Sequence, residues 1–386
     1  MSDKKLRVIA VGGAGSMGRW AVRTIATLGT AEVLTIADID VERAERTAQS
    51  VGGPCQAMAL DATDAEALRR AFADHDVVVN TMGPFASFMG PILEAAIDSD
   101  CHYLDINDDW QPTITAFDLD ERARAKGLHI VIGLGGSPGV TNLCAVMAVE
   151  RLDTVEELYT GWKVSAATIV DEPDFPAPKA SAAADHWVHQ CSEPIRAWED
   201  GGLADVQPVQ PVEVDFPGIG PVVAYTMGHP EPITLPRTFP QLKRSLNLQS
   251  GPSWLLDGLR DIGRRVGAGE ISLHEGVEQV GSLPRPKEKG PRDPLPIEWS
   301  LAIGTKGGER RSVAVFPTRF HPARMGGNTG VPVGIGVELL RRGSLLDTGV
   351  HAPESVIPAR EFFDLLAPLT DESLQGMDDL IAVVEA

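Results

Sequence analysis

An α/β fold, a doubly wound parallel sheet with a second domain of mixed or antiparallel sheet after it, is predicted by three observations. A strand breaks into glycines and then a helix over residues 6–28. Apolar runs then alternate with helical patterns as far as residue 142, and beyond Leu152 the runs lengthen, with five of the seven tryptophans in that half.

Leu6 to Val11 is the first strand. Gly13, Gly15 and Gly18, with Ser16 and Met17 between the last two, fit G-x-G-x-x-G. In that spacing one glycine makes the turn, one admits a pyrophosphate to the backbone, and one lets helix and strand pack closely. Free N–H groups at the helix start then hold phosphates. Met17, Ala21, Ile25 and Leu28 recur at helical spacing and Gly29 stops the helix. The second strand, Glu32 to Ala37, ends in Asp38, 20 residues past Gly18, where the carboxylate for the adenosine ribose hydroxyls belongs.

Val41 to Val51 reads as a helix, and Gln56 to Leu60 as a third strand ending in Asp61, expected to face the adenine. After the helix Ala65 to Ala73, Asp76 to Asn80 is a buried fourth strand. Its end and the following turn place Asn80, Met82, Gly83 and Pro84 beside the nicotinamide ribose, since ligands gather at the carboxyl ends of parallel strands. The helix Ile92 to Ile97, strand His102 to Asn107, helix Thr115 to Lys126, strand Leu128 to Gly133 and loop Gly135 to Gly139 complete six strands. Further strands are expected at Glu157 to Val164, Val212 to Phe216, Val222 to Thr226, Glu298 to Gly304 and Ser312 to Phe316. The basic, proline-rich stretch Pro284 to Pro294 reads as a solvated loop. Helices follow at Gly330 to Leu340, Ala359 to Leu366 and Leu374 to Val384; glycines in the first imply close approach of another backbone or a ligand.

The 386 residues suit two domains, and 43% hydrophobic content supports a sizeable core. A net charge of −20 argues against a general attraction to nucleic acid or anionic membrane. No apolar run approaches the roughly 20 residues of a membrane span, and no signal peptide pattern is seen, so a cytoplasmic protein is expected. Cys55, Cys101, Cys144 and Cys191 are scattered without metal or disulfide spacing. His186 and His189 lack an evident third ligand, and no metal is expected.

Several of these segments together resemble the saccharopine dehydrogenase family: Gly13 to Gly18, Asn80 to Pro84, His102 to Asp105, Gly133 to Asn142 with its Ser-Pro-Gly-Val-Thr-Asn, and Gly330 to Ile335. Asp185-His186-Trp187, Trp198 to Gly202 and Phe216-Pro217-Gly218 extend the likeness. The resemblance implies a Rossmann domain (1–138), an inserted α+β substrate-binding and dimerisation domain (139–328), and C-terminal helices (329–386) that return to the first. It also implies a homodimer, no metal, and hydride transfer between a nicotinamide and a carbon bearing nitrogen in a small amine or amino acid. Gly161 to Ala166 and Met227 to Pro232 depart from the family pattern on the substrate side and point away from saccharopine itself.

Asp38 would repel a 2′-phosphate, and Ile39-Asp40 supplies no Arg or Ser to receive one, so NAD is favoured over NADP. Arg43, one helical turn on, is the feature that would suit NADP. For the amine proton the candidates are Asp105, His102, His186 and His229, with Lys163 and Lys243 as carboxylate clamps. Two other readings stay open: a reductase of a C=C or C=O bond, and a non-catalytic nucleotide-sensing regulator.

Overall fold

The computed structural model describes residues 4–170, 172, 175, 182–284 and 293–386. Most of the proline-rich stretch, residues 285–292, lies outside them. In chain order the strands are β1 (Leu6–Val11), β2 (Ala31–Asp38), β3 (Cys55–Ala59), β4 (Val77–Asn80), β5 (His102–Asp105), β6 (His129–Val131), β7 (Thr154–Lys163), β8 (Ile195–Glu199), β9 (Gly202–Val206), β10 (Pro211–Phe216), β11 (Gly220–Met227), β12 (Arg244–Ser250), β13 (Glu298–Lys306), β14 (Glu309–Pro317), β15 (Gly349–His351) and β16 (Ile381–Glu385).

The chain divides into two compact units. Unit 1 comprises residues 1–143, 168–177 and 319–380, and unit 2 comprises 144–167, 178–318 and 381–386. The sequence places the divisions at 138/139 and 328/329; the structure has more of them, and the last six residues return to unit 2.

Unit 1 holds a parallel sheet in the order β15-β6-β5-β4-β1-β2-β3. Its centre is the fully buried Val77-Val78-Val79 run beside Val8 to Ala10, the continuous apolar signature of a strand covered on both faces. β15 is a seventh strand that pattern reading misses, because three residues are too few to show a period. The helix Ala65–Phe72 starts where the Asp64 carboxylate accepts the N–H groups of Glu66 and Ala67 at 2.9 and 3.0 Å. The helix Met325–Arg342 lies against the helix Gly18–Thr27. Its glycines explain the closeness: a Cβ on Gly330 would stand 2.2 Å from the Met17 carbonyl oxygen.

Unit 2 holds a mixed sheet, β10-β11-β12-β7-β13-β14-β16, with β8 and β9 attached at β12. β12 and β7 run parallel and the other pairs antiparallel. Alternation along these strands separates two faces. Tyr159, Leu246, Leu248, Trp299, Leu301 and Ala314 pack into one buried cluster with Phe216 and Ala224. The chain end differs from its expected helix: only Met377–Leu380 is helical, and Ile381–Glu385 pairs with β14. The adjacent Val383 and Val384 suit a pleated strand better than a helix. No helix among the described residues is long and apolar enough to cross a membrane.

Candidate functional site

The glycine turn at the end of β1 has the expected shape with one shift. The left-handed conformation belongs to Gly12 (φ 69°), one residue before the motif's first glycine. Gly18 opens the helix, where a Cβ would meet the Gly12 oxygen at 2.4 Å and Thr81 Oγ1 at 2.7 Å, so the third glycine is what lets helix and strand meet. Met17 accepts the N–H groups of Trp20 and Ala21 at 3.0 and 3.1 Å, with Gly15 and Ser16 in the turn before it.

Asp38 closes β2 with its carboxylate held by the backbone N–H groups of Asp40 and Ala14. Burial pushes it up from the ordinary carboxylate range, against those bonds and the Arg43 charge. Asp61 lies beyond β3, exposed, its carboxylate taken by the Thr63 hydroxyl at 2.6 Å and N–H at 2.9 Å, which hold it below the usual range. Arg19 was not foreseen, because helical spacing marks only the apolar face. Its buried guanidinium donates to the Ala14 carbonyl at 3.1 Å, inside the turn, and pairs with Glu172 at 2.8 Å.

Asn80, at the end of β4, is wholly buried; its amide donates to Tyr103 Oη at 3.0 Å and its oxygen accepts the Met82 N–H at 3.0 Å. The Gly83–Pro84 peptide that follows is cis. Asp105, expected at the reacting nitrogen, is 0% exposed and accepts from three donors: Gly133 N–H (2.6 Å), Tyr103 hydroxyl (2.8 Å) and Asn107 N–H (3.0 Å). Burial pushes it up to about 6 while those bonds pull it back. This carboxylate ties the ends of β4, β5 and β6 together instead of standing open to a ligand. His102, the next candidate, lies at the other end of its strand. It begins β5, at the amino edge of a parallel sheet whose ligand edge is the other one. It accepts the His129 N–H at 3.0 Å, and burial pushes it down to about 4.

In unit 2 the face opposite the apolar cluster carries buried polar side chains. Thr160 faces Asn247 and Ser300, and Trp162 faces Gln249 and Glu298, across neighbouring strands. Asn247 binds this row together, donating to Thr160 Oγ1 at 2.9 Å and Glu231 Oε1 at 3.0 Å and accepting from Trp162 Nε1 at 3.2 Å. His186, on the helix Ala182–His189, and His229, just after β11, meet here. Their Nε2 atoms are 3.4 Å apart, and His229 Nδ1 is 3.5 Å from Glu231 Oε2. With exposures of 9%, 4% and 0%, His186, His229 and Glu231 form a carboxylate–imidazole–imidazole chain. Where the two Nε2 atoms meet, one ring donates and the other accepts.

The sequence therefore picks two of these residues, places Trp162 and Glu231 only as members of substrate-side segments, and misses Asn247, Thr160 and Glu298. Glu231 lies two residues past His229 in the segment that departs from the family pattern, which is the signal that was available. Lys243 is corrected: it is a surface side chain, 68% exposed, paired with Glu156 at 2.8 Å. Lys163 donates to the Asp293 carbonyl at 2.9 Å. Cys101 is buried, as a core cysteine should be, and its thiol is pushed up to about 12.

Comparison with known proteins agrees with this layout. Residues 8–131 match the family described as saccharopine dehydrogenase NADP binding domain. The chain is 22% identical over 387 aligned residues to carboxyaminopropylagmatine dehydrogenase of Synechocystis sp., covering 91% of this chain and 93% of that protein. It is 24% identical over 391 to carboxynorspermidine synthase of Vibrio alginolyticus, covering 90% and 91%. The apo structure of saccharopine dehydrogenase (L-Glu forming) from Saccharomyces cerevisiae superposes with a TM-score of 0.62 at 15% identity, over 99% of this chain and 100% of that one. Residues 8–131 thus match the saccharopine dehydrogenase NADP binding domain family, on a chain with the fold of saccharopine dehydrogenase.

Proposed function

We propose that this chain is an NAD(P)-dependent oxidoreductase that moves a hydride to or from a carbon bearing nitrogen in a small amine or amino acid. The observation that carries the reading is the buried Glu231–His229–His186 chain in unit 2. Hydride transfer at a C–N bond requires one group to hold or remove the nitrogen's proton, and imidazole does so near neutral pH. The nicotinamide supplies the hydride when bound. Unit 1 offers the glycine turn and Asp38 for the dinucleotide, with Asn80, Met82, Gly83 and Pro84 for its nicotinamide ribose and Asp61 near its adenine. Asp105 acts as a positioning residue that fixes those strand ends. The names of the two full-length relatives, both nitrogen-rich chains bearing a carboxylate, favour an amine substrate.

NAD is proposed over NADP, since the Asp38 carboxylate at the end of β2 would repel a 2′-phosphate. A regulator that only senses nucleotide has no use for a buried proton chain in a second unit. A homodimer in the cytoplasm completes the proposal, with light scattering and cell fractionation as its checks. The central test is NADH formation from a panel of secondary and primary amines and amino acids, run beside NADP. A saturable rate with one amine class establishes the reading; tight NADH binding without turnover of any of them overturns it.

A further inference from the structure

β12 carries Asn247 between Leu246 and Leu248, on the face opposite their apolar cluster. The residue is buried, and its surroundings dictate which way its amide points. An indole N–H can only donate, so the Asn247 atom 3.2 Å from Trp162 Nε1 is the oxygen Oδ1. Nδ2 therefore faces Glu231 Oε1 at 3.0 Å and Thr160 Oγ1 at 2.9 Å. The two groups held by this one amide, Trp162 and Glu231, both border the same ring. Trp162 stacks on His229 with ring centroids 5.8 Å apart and an interplanar angle of 27°, while Glu231 Oε2 is 3.5 Å from His229 Nδ1.

We propose that Asn247 is a positioning residue for this imidazole: by fixing Glu231 and Trp162 it selects the His229 tautomer that carries its proton on Nδ1 and leaves Nε2 as the acceptor. An amide N–H on Oε1 anchors the Glu231 carboxylate with its second oxygen toward the ring. An oxygen so placed favours an N–H at Nδ1 over a lone pair. The other ring nitrogen makes no contrary demand of its imidazole neighbour, because Nε2 meets His186 Nε2 at 3.4 Å and a second imidazole can take either role. The stacked indole, itself tied to Asn247 Oδ1, holds the ring in that orientation. Nε2 is then the atom of His229 that takes up a proton. This inference rests on the amine reading above and adds to it the residue that decides which nitrogen of His229 is basic.

The test is nitrogen NMR of the full chain with labelled histidine, at about pH 8, above the ordinary histidine range. Long-range couplings across the ring distinguish an Nδ1–H from an Nε2–H tautomer, and the signals lost in His229→Gln assign this ring among the nine histidines. The expected result is the Nδ1–H form in the unmodified protein and a shift of population toward Nε2–H in Asn247→Leu. Thr160→Val removes another acceptor of the same amide and should leave the tautomer in place, which separates the Glu231 contact from a general loosening of the strand. With the responsive amine, Asn247→Leu should lower kcat about tenfold or more with little change in KM. Near-ultraviolet circular dichroism reports an intact fold; should Asn247→Leu fail to fold, Asn247→Ala takes its place. An Nε2–H tautomer in the unmodified protein, a tautomer that Asn247→Leu does not move, or one that Thr160→Val moves as far overturns the proposal. An Nδ1–H form that depends on Asn247, with no amine turned over, upholds the positioning role and sinks the oxidoreductase reading; amine turnover with a tautomer indifferent to Asn247 does the reverse.

Discussion

Tyr103 donates its hydroxyl to Asp105 Oδ2 at 2.8 Å while its own hydroxyl oxygen accepts from the Asn80 amide at 3.0 Å. The neighbouring strands β4 and β5 are thereby joined through groups that water does not reach, and the Gly133 N–H beyond β6 reaches the same carboxylate. Tyr103→Phe leaves the Asn80 amide and one Asp105 oxygen short of a partner, and should cost about 1–3 kcal/mol of stability. Denaturant unfolding of the two proteins measures it.

The same carboxyl carries a pH signature. Asp105 sits at about 6 in the folded protein, above the ordinary 3.8. The folded state therefore binds the extra proton between those values, and this group's contribution falls as pH rises from about 4 to about 6, by up to about 3 kcal/mol. Above that window it is constant. Asp105→Asn removes the titration, so the stability difference between wild type and variant should shrink across that window and level off beyond it, as read from unfolding at a series of pH values.

Gly15 and Gly18 should separate two roles of the turn. A Cβ on Gly15 would meet only the Gly12 oxygen, at 3.0 Å, whereas one on Gly18 would be driven into it at 2.4 Å. Gly18→Ala is expected to lose about 1–3 kcal/mol of stability as well as dinucleotide binding. Gly15→Ala should leave the melting temperature nearly unchanged and still weaken NADH binding tenfold or more, measured by fluorescence titration.

Asp38→Ala should reduce the affinity for NADH about tenfold, in keeping with the loss of charge-assisted bonds to ribose hydroxyls, and improve relative use of NADPH. Parallel titration with both nucleotides checks this. Unchanged NADH affinity would remove Asp38 from the site.

His229→Ala should lower kcat by about 10²–10⁴ with the responsive amine, and His186→Ala by less, because His186 touches the chain at its far end. Asp105→Asn should leave the shape of the pH–rate profile in place, as expected of a residue that positions others. Steady-state rates across pH distinguish the two behaviours.

The nucleotide end was legible because its signals are local: strand, glycines, helix and terminal acid follow one another within residues 6–38. Even there, the glycine that turns left-handed is Gly12, outside the motif and close to Met82 of the turn after β4, and Arg19 shows nothing in the helical period. In unit 2 the alternation of Leu246 and Leu248 with Asn247 and Gln249 looks like an ordinary half-exposed strand. Both faces are in fact buried, a tertiary outcome that turns the polar residues from surface into site. His102 is the opposite case: residue type suggests chemistry, while the sequence does not show that it stands at the amino end of β5.

The two latest strands carry a consequence for biosynthesis. β15 borders the first sheet beside β6, and β16 covers the free edge of β14 in the second. Neither sheet is complete until the ribosome has passed residues 351 and 385 respectively. The β6 edge thus waits unpaired from residue 131 to residue 351, and the β14 edge from residue 317 to residue 385, as strand edges of the kind that recruit other chains. A tag or fusion placed after residue 385 adjoins the strand that closes the second sheet.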